Sequence, residues 1–238
     1  MNRPNETRLD DIIRFYALLG QLQEATGGRR KLSDCHGHLD WPDRGVYFFF
    51  ENGEERSASG NGGRVVRVGT HALKLGSRTR LWSRLSQHRG TARSPGGHHR
   101  GSIFRLLIGT ALMARDRLSC RTWGNGSSAP AEIRQSEREL EAHVSRVIGQ
   151  MSLTWLDVDD EPSPSSLRGY IERNSIALLS NFNAEAADPP SPDWLGGQCN
   201  RLRVKQSGLW NQNHVDERYD PSFLDTFECL VEQTGNGR

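Results

Sequence analysis

An α/β fold of the α+β kind, a small and mostly antiparallel three-stranded sheet flanked by helices, is what this sequence predicts. Three observations predict it. Gly45 to Glu51 and Arg64 to Gly69 are apolar runs joined by a polar, Gly-rich turn, so they read as two paired strands. A basic helix follows, from about Arg78 to Arg89. Ser152 to Val158 then alternates with period two and supplies a third strand.

Taken in order, residues 7 to about 26 carry Leu9, Ile12, Ile13, Tyr16, Leu19 and Leu22 at helical spacing, and Gly27-Gly28 ends that helix. It is expected to pack on the outside of the core. Asp34, Cys35, His36, His38 and Asp40 lie in a stretch that reads as a polar loop, with a zinc-binding module built on Cys35, His36 and His38 as a rival reading. Val46 to Phe50, one Val and four aromatics, suits a strand buried on both faces. The turn from Asn52 to Gly63 lacks the GK[ST] ending of a phosphate-cradling loop. On the basic helix Leu81, Trp82 and Leu85 form the apolar side, and Arg84 and His88, four apart, project from one face.

Thr91 to Gly101 reads as a basic loop, and Ser102 to Arg115 as a buried segment for which helix is preferred to strand. Glu132 to Gln150 reads as one helix with Leu140, Val144, Val147 and Ile148 inward. After an acidic turn, Ser163 is the expected N-cap and Pro164 the first turn of a helix running to about Leu179. Its deepest side is marked by Leu167, Ile171 and Leu178, and Glu172 sits on the flank with Ile176 and Leu179. A carboxylate so close to the apolar sector requires a cation or donor to offset its desolvation. Ser207 to Val215 reads as a packed peptide, its aromatic and amide run from Trp210 to His214 suited to contacting a partner or covering the sheet, with core packing preferred, and a short helix from Phe223 to Val231 follows.

Composition bounds the function. The 238 residues can bury one sizeable core. No apolar run approaches the roughly 18 residues of a membrane span, and the N-terminus lacks a signal peptide's apolar segment. The cytoplasm is the expected compartment, and the scattered Cys35, Cys120, Cys199 and Cys229 are expected to be free thiols. The net charge of +2 conceals segregation. Arg56 to Arg115 holds twelve Lys/Arg and four His with no Asp or Glu, leaving 19 basic against 29 acidic residues elsewhere. One strongly positive region is what a polyanion-binding face requires.

The ordered residues resemble the GIY-YIG nuclease superfamily over roughly 44 to 184. Gly45-Val46-Tyr47 stands where the family has its first triplet and Arg67-Val68-Gly69 where it has the second. Leu81-Trp82-Ser83-Arg84-Leu85 looks like the helix bearing the family's arginine, and Glu172 in Tyr170-Ile171-Glu172-Arg173-Asn174 follows the third strand, with Asn181 or Asn183 as the asparagine after it. Arg67 replaces the second tyrosine, and residues of about 90 to 130 look like an insertion. The organisation implied is an N-terminal helix and loop over 1–43, a nuclease-like domain over 44–184, and a C-terminal extension over 185–238 packed on it.

This resemblance implies a metal-dependent DNA endonuclease. Glu172 would hold one divalent ion, Mg2+ or Mn2+, since a lone carboxylate with waters and substrate phosphate suffices for magnesium. Tyr47 would be the general base or orient the water, its phenol, with a pKa of about 10, assisted by nearby cations. Arg84 would pair with the scissile phosphate, and His88 resembles a histidine that assists proton transfer in some restriction-type members. Arg67, Gly69, His71 and Lys74 are further candidates beside the substrate, with Asn181 and Asn183. The basic segment Arg89 to Arg105 suits DNA-backbone contacts. One site cuts one strand, so double-strand cleavage requires a homodimer or sequential nicking. The alternative function is a catalytically silent nucleic-acid-binding protein that retains the fold, and Arg67 is the residue that favours it.

Overall fold

In the computed structural model, which describes residues 4–90 and 96–236, four strands form one open sheet. These are β1 (Arg30–Lys31), β2 (Gly45–Glu55), β3 (Gly63–Gly69) and β4 (Ser152–Asp157), in the order β1-β4-β2-β3 with every neighbouring pair antiparallel. The sheet thus has one strand more than expected. The two-residue β1 pairs Arg30 with Leu153 and Lys31 with Ser152, and it is too short and too polar for periodicity to reveal. Eight helices lie among the described residues: α1 (Pro4–Ala25), α2 (Leu81–Arg89), α3 (Ile103–Asp116), α4 (Ala131–Ser136), α5 (Arg138–Gln150), α6 (Leu167–Leu179), α7 (Leu202–Ser207) and α8 (Phe223–Asn236). None is long and apolar enough to cross a membrane.

The central strand β2 explains the layering. Its side chains alternate, so Val46, Phe48 and Phe50 enter a core shared with α1, α6 and α8, while Tyr47 and Phe49 enter a second core with α2, α3 and α5. Both faces are covered, which is why the run is continuously apolar. Helix α1 contributes Ile12, Phe15, Leu19 and Leu22 to the first core, so it is a wall of that core and does not lie outside it; Ile13 is 44% exposed.

A bulge interrupts the β2–β3 ladder. Phe49 faces Arg67 and Phe50 faces Val65, so a two-residue step on β3 matches one on β2. The extra residue sends Val66 into the second core alongside the Arg67 side of the strand, while Val65 and Val68 face the first. Beyond β3 the backbone N–H of Trp210 donates to Val66 O at 2.7 Å, and the Asn211 amide both accepts from Val68 N and donates to Val68 O. This covers the open edge of the sheet with chain from the C-terminal region. Trp210 is fully buried.

Several helix boundaries depart from those expected. Helix α6 is capped by Ser166, whose hydroxyl accepts from Gly169 N at 3.2 Å, whereas Ser163 and Ser165 bond to one another in the preceding turn. Leu167 is therefore the first helical residue and 44% exposed, not part of the deep face. The segment expected as one helix from Glu132 to Gln150 breaks at Glu137, whose buried carboxylate takes two hydrogen bonds from Arg100 at 2.6 and 2.8 Å. Helix α8 runs on to Asn236, beyond the Val231 expected.

The largest correction concerns the basic segment Arg89 to Arg105. Residues 91–95 lie outside those described, but the rest is only partly a positive surface. Arg105 is fully buried and bonded to Glu141 at 2.5 and 3.0 Å, and its third nitrogen donates to His88 O at 2.9 Å. The Glu141 carboxylate also accepts from the backbone N–H of His99 and from its Nδ1. Burial works against the Glu141 charge, yet His99 and Arg105 outweigh it and hold the carboxyl down to about 2. Arg100 and Arg105 thus spend their charges inside the protein. Glu141→Ala leaves the Arg105 guanidinium buried and unpaired, with an expected stability loss of about 3–5 kcal/mol, to be read as a lowered denaturant midpoint.

Candidate active site

Where β3 ends, the two faces of the sheet meet in a cleft of about 670 Å3. Tyr47, Arg67 and Arg84 reach it from the α2 and α3 side, Glu172 and Ile176 from α6, and Asn211 to His214 from the C-terminal segment. His71 and Lys74 line it from the loop after β3. Of the residues singled out in the sequence, Tyr47, Arg67, His71, Lys74, Arg84 and Glu172 therefore share one cleft. His88 is fully buried behind Tyr47 and reaches the cleft through it.

Gly69 sits directly opposite Tyr47 in the β2–β3 ladder. A Cβ at this position would lie 2.6 Å from Tyr47 Cε2, so the phenol ring rests on bare backbone. That requirement for space, with no unusual backbone angle involved, accounts for the glycine. The phenol oxygen then lies 2.8 Å from His88 Nε2, and His88 Nδ1 lies 2.7 Å from the Ser102 hydroxyl.

Proton positions in this chain follow from counting donors. Burial first, then Arg84, Arg67 and Arg105, push the His88 pKa well below its ordinary value, so the ring is neutral with one N–H. Ser102 Oγ already accepts from Arg105 N, as the cap of α3, and His88 Nδ1 is its other neighbour. If His88 donated there, the buried hydroxyl proton would have no acceptor, which is unfavourable. Ser102 therefore donates to Nδ1, and His88 donates from Nε2 to the Tyr47 oxygen. The phenol oxygen thus receives a hydrogen bond from the imidazole and keeps its own proton free for the cleft.

Arg67 is buried and lies over the Phe104 ring at 4.7 Å, with one nitrogen donating to Trp210 O. Burial lowers its pKa, but a guanidinium stays charged, and its Nε has no partner among the described residues. Arg84 is fixed by hydrogen bonds to Gln87 Oε1 and Gly101 O, both at 3.1 Å. His71 Nε2 donates to Asp43 O at 3.2 Å, since a carbonyl can only accept, and its Nδ1 is consequently a buried lone pair with no partner among the described residues. Burial, then Arg168, Arg84 and Arg44, push its pKa down to about 4.

Glu172 accepts from Thr70 N at 3.1 Å through Oε1 and lines the cleft beside Arg67 and Arg84. Burial raises its pKa, opposed first by Arg67. A carboxylate in this position fits a hard cation that completes its shell with water and phosphate oxygens. Among the described residues no three His, Cys, Asp or Glu side chains converge as a metal cluster. Cys35 is buried, donates its thiol proton to Lys31 O, and is pushed up to about 11 by burial, which disfavours the thiolate that zinc requires.

Asn181 and Asn183 are not brought to the cleft. Asn181 ties down its own loop, accepting from Ala187 N and donating to Asp188 O, and Asn183 is exposed with φ 54°. The amides that do line the cleft are Gln87 on α2 and, from the C-terminal segment, Asn211, Gln212 and Asn213. The signal for the C-terminal amides is the aromatic and amide run from Trp210 to His214, whose sequence favours core packing over contact with a partner.

A family model described as GIY-YIG domain matches residues 6–237. No match was found among curated proteins or among solved structures.

Gly69→Ala drives a methyl into the Tyr47 ring and is expected to cost about 1–3 kcal/mol, measured by thermal or urea unfolding. The depressed His71 pKa also sets a pH dependence. The unfolded chain takes up its proton near the ordinary value of about 6.5, whereas the folded chain resists until about 4. Stability therefore falls as pH drops through that window, and His71→Gln is expected to flatten the slope of unfolding free energy against pH between those limits.

Proposed function

Since the chain belongs to the GIY-YIG domain family, a family of nuclease type, we propose that it is a metal-dependent endonuclease acting on DNA in the cytoplasm. The observation that carries the reading is that Tyr47, Arg84 and Glu172, from three separate elements, line one cleft.

Phosphodiester hydrolysis needs an activated water, neutralised phosphate oxygens and a stabilised leaving oxygen. Tyr47 is the group that takes the water's proton or orients the water. The His88 N–H fixes the position of the phenol oxygen, and Ser102 fixes the His88 tautomer. His88 is thus a donor to Tyr47 and not a proton store, because its surroundings resist a second proton. Arg84, already oriented by Gln87 and Gly101 O, presents its planar fork to the phosphate, where charge develops. Lys74, exposed at the rim, adds positive charge on the approach. Glu172 would hold a single Mg2+ or Mn2+, which supplies charge neutralisation at the phosphate and lowers the pKa of water. His71, neutral and offering Nδ1 as an acceptor, suits a bound water. The asparagine function of the family's motif falls to the C-terminal amides in place of Asn181 and Asn183. Double-strand cleavage requires a homodimer or two successive nicks.

The alternative, a catalytically silent nucleic-acid-binding protein, is favoured by one observation: a buried Arg67 occupies the place of the motif's second tyrosine. Nicking of supercoiled plasmid separates the two. Wild type with magnesium is expected to nick, and Tyr47→Phe and Glu172→Ala to lower the rate by about 100-fold or more each. A wild type that binds DNA but leaves duplex, branched and single-stranded substrates intact with both magnesium and manganese establishes the silent reading.

A further inference from the structure

Beside the cleft lies a second concavity, of about 840 Å3, bounded by α2, the 96–101 segment and the junction of α4 with α5. Arg89, His98, Arg134 and Arg138 stand on its walls, and no Asp or Glu is among the described residues that line it. Arg134 and Arg138 are exposed, and neither makes an ion pair among the described residues. Their neighbours explain why. The nearby carboxylates of Glu137 and Glu141 face inward and are taken up by the buried Arg100 and Arg105, so the outward arginines keep their charge. Arg89 keeps its place in the wall by lying over the Trp82 ring at 5.0 Å and donating to Cys35 O.

The groove and the cleft adjoin. Gln87 lines both, and Arg84 on the cleft wall donates to the carbonyl of Gly101, a residue of the groove. The groove therefore begins on the far side of Arg84 from the cleft. It is larger than the cleft itself, and Arg89 on α2 faces it from one side with Arg134 and Arg138 of α4 and α5 on another.

We propose that the groove is a track for the phosphodiester backbone of the substrate strand beyond the bond held at Arg84, with Arg134 and Arg138 pairing to successive phosphates. This rests on the nuclease reading of the cleft. The arginine side chains supply charge and register here, and sequence is not read by them.

The test is the salt dependence of duplex DNA binding, measured by fluorescence anisotropy in EDTA so that no strand is cut, for wild type and for the double variant Arg134→Ala, Arg138→Ala. Both residues are exposed and outside the catalytic set, and matching thermal melts verify the fold. Each lost phosphate contact lowers the slope of log affinity against log salt by about 0.9. Two lost contacts mean that raising salt from about 50 to about 200 mM weakens wild type roughly tenfold more than the variant. Arg134→Lys, Arg138→Lys is expected to restore the wild-type slope. If the alanine variant keeps the wild-type affinity and slope while wild type still nicks plasmid, the track is overturned and the cleft reading stands. If wild type neither binds nor cuts DNA, both fall together.

Discussion

The structure turns on the double burial of β2. A strand covered on both faces must place alternate residues in two different cores, and here that alternation separates Phe48 and Phe50 from Tyr47 and Phe49. Tyr47 is thereby a core aromatic and a cleft residue at once. Its ring is held by packing on Gly69, its oxygen by His88, and the regular alternation of β3 turns Arg67, opposite Phe49, toward the same side. Nothing in this set is held by a mobile loop, so the phenol oxygen is positioned by the same contacts that stabilise the fold.

Charge is sorted in a similar way. The basic stretch of the chain divides into arginines that look inward and arginines that look outward. Arg100 and Arg105 meet Glu137 and Glu141 and fasten the segment before α3 onto α5, which is what places Ser102 against His88. An Arg105 nitrogen bonds the His88 carbonyl directly. The interior pairs thus connect the α3–α5 layer to the protonation state of the site, while the outward arginines give the surface its sign. The same residue type serves packing in one place and solvent-facing potential a few residues away.

Much of the fold was legible because its signals are local and periodic. The paired strands, the third strand after α5, the basic helix and the ordering of Tyr47, Arg84 and Glu172 all follow from period and motif spacing. What was not legible is what depends on partners remote in sequence. Strand β1 has no pattern of its own and exists because β4 has a free edge. The break at Glu137 follows from Arg100, and the start of α6 at Leu167 follows from Ser166, with Asp160 accepting from Arg168 inside the first turn. The amides at 211 to 213 enter the cleft only because Trp210 and Asn211 hydrogen-bond along β3. A linear motif places an asparagine after Glu172, and the fold turns both available ones elsewhere.

That edge-covering segment has a consequence for the order in which the molecule comes into being. Residues 210 and 211 lie more than 140 positions after the strand they cover, and residues as late as His214 close the cleft begun at Tyr47. Chains emerge from the ribosome from the N-terminus onward, and contacts of such long sequence separation form late. A growing chain that already carries Tyr47, Arg84 and Glu172 still has an unsealed sheet edge and an open-sided cleft until residues 210 to 214 have been made. The cleft thus stays unfinished until well after Tyr47, Arg84 and Glu172 have been made, a delay written into the topology of the chain.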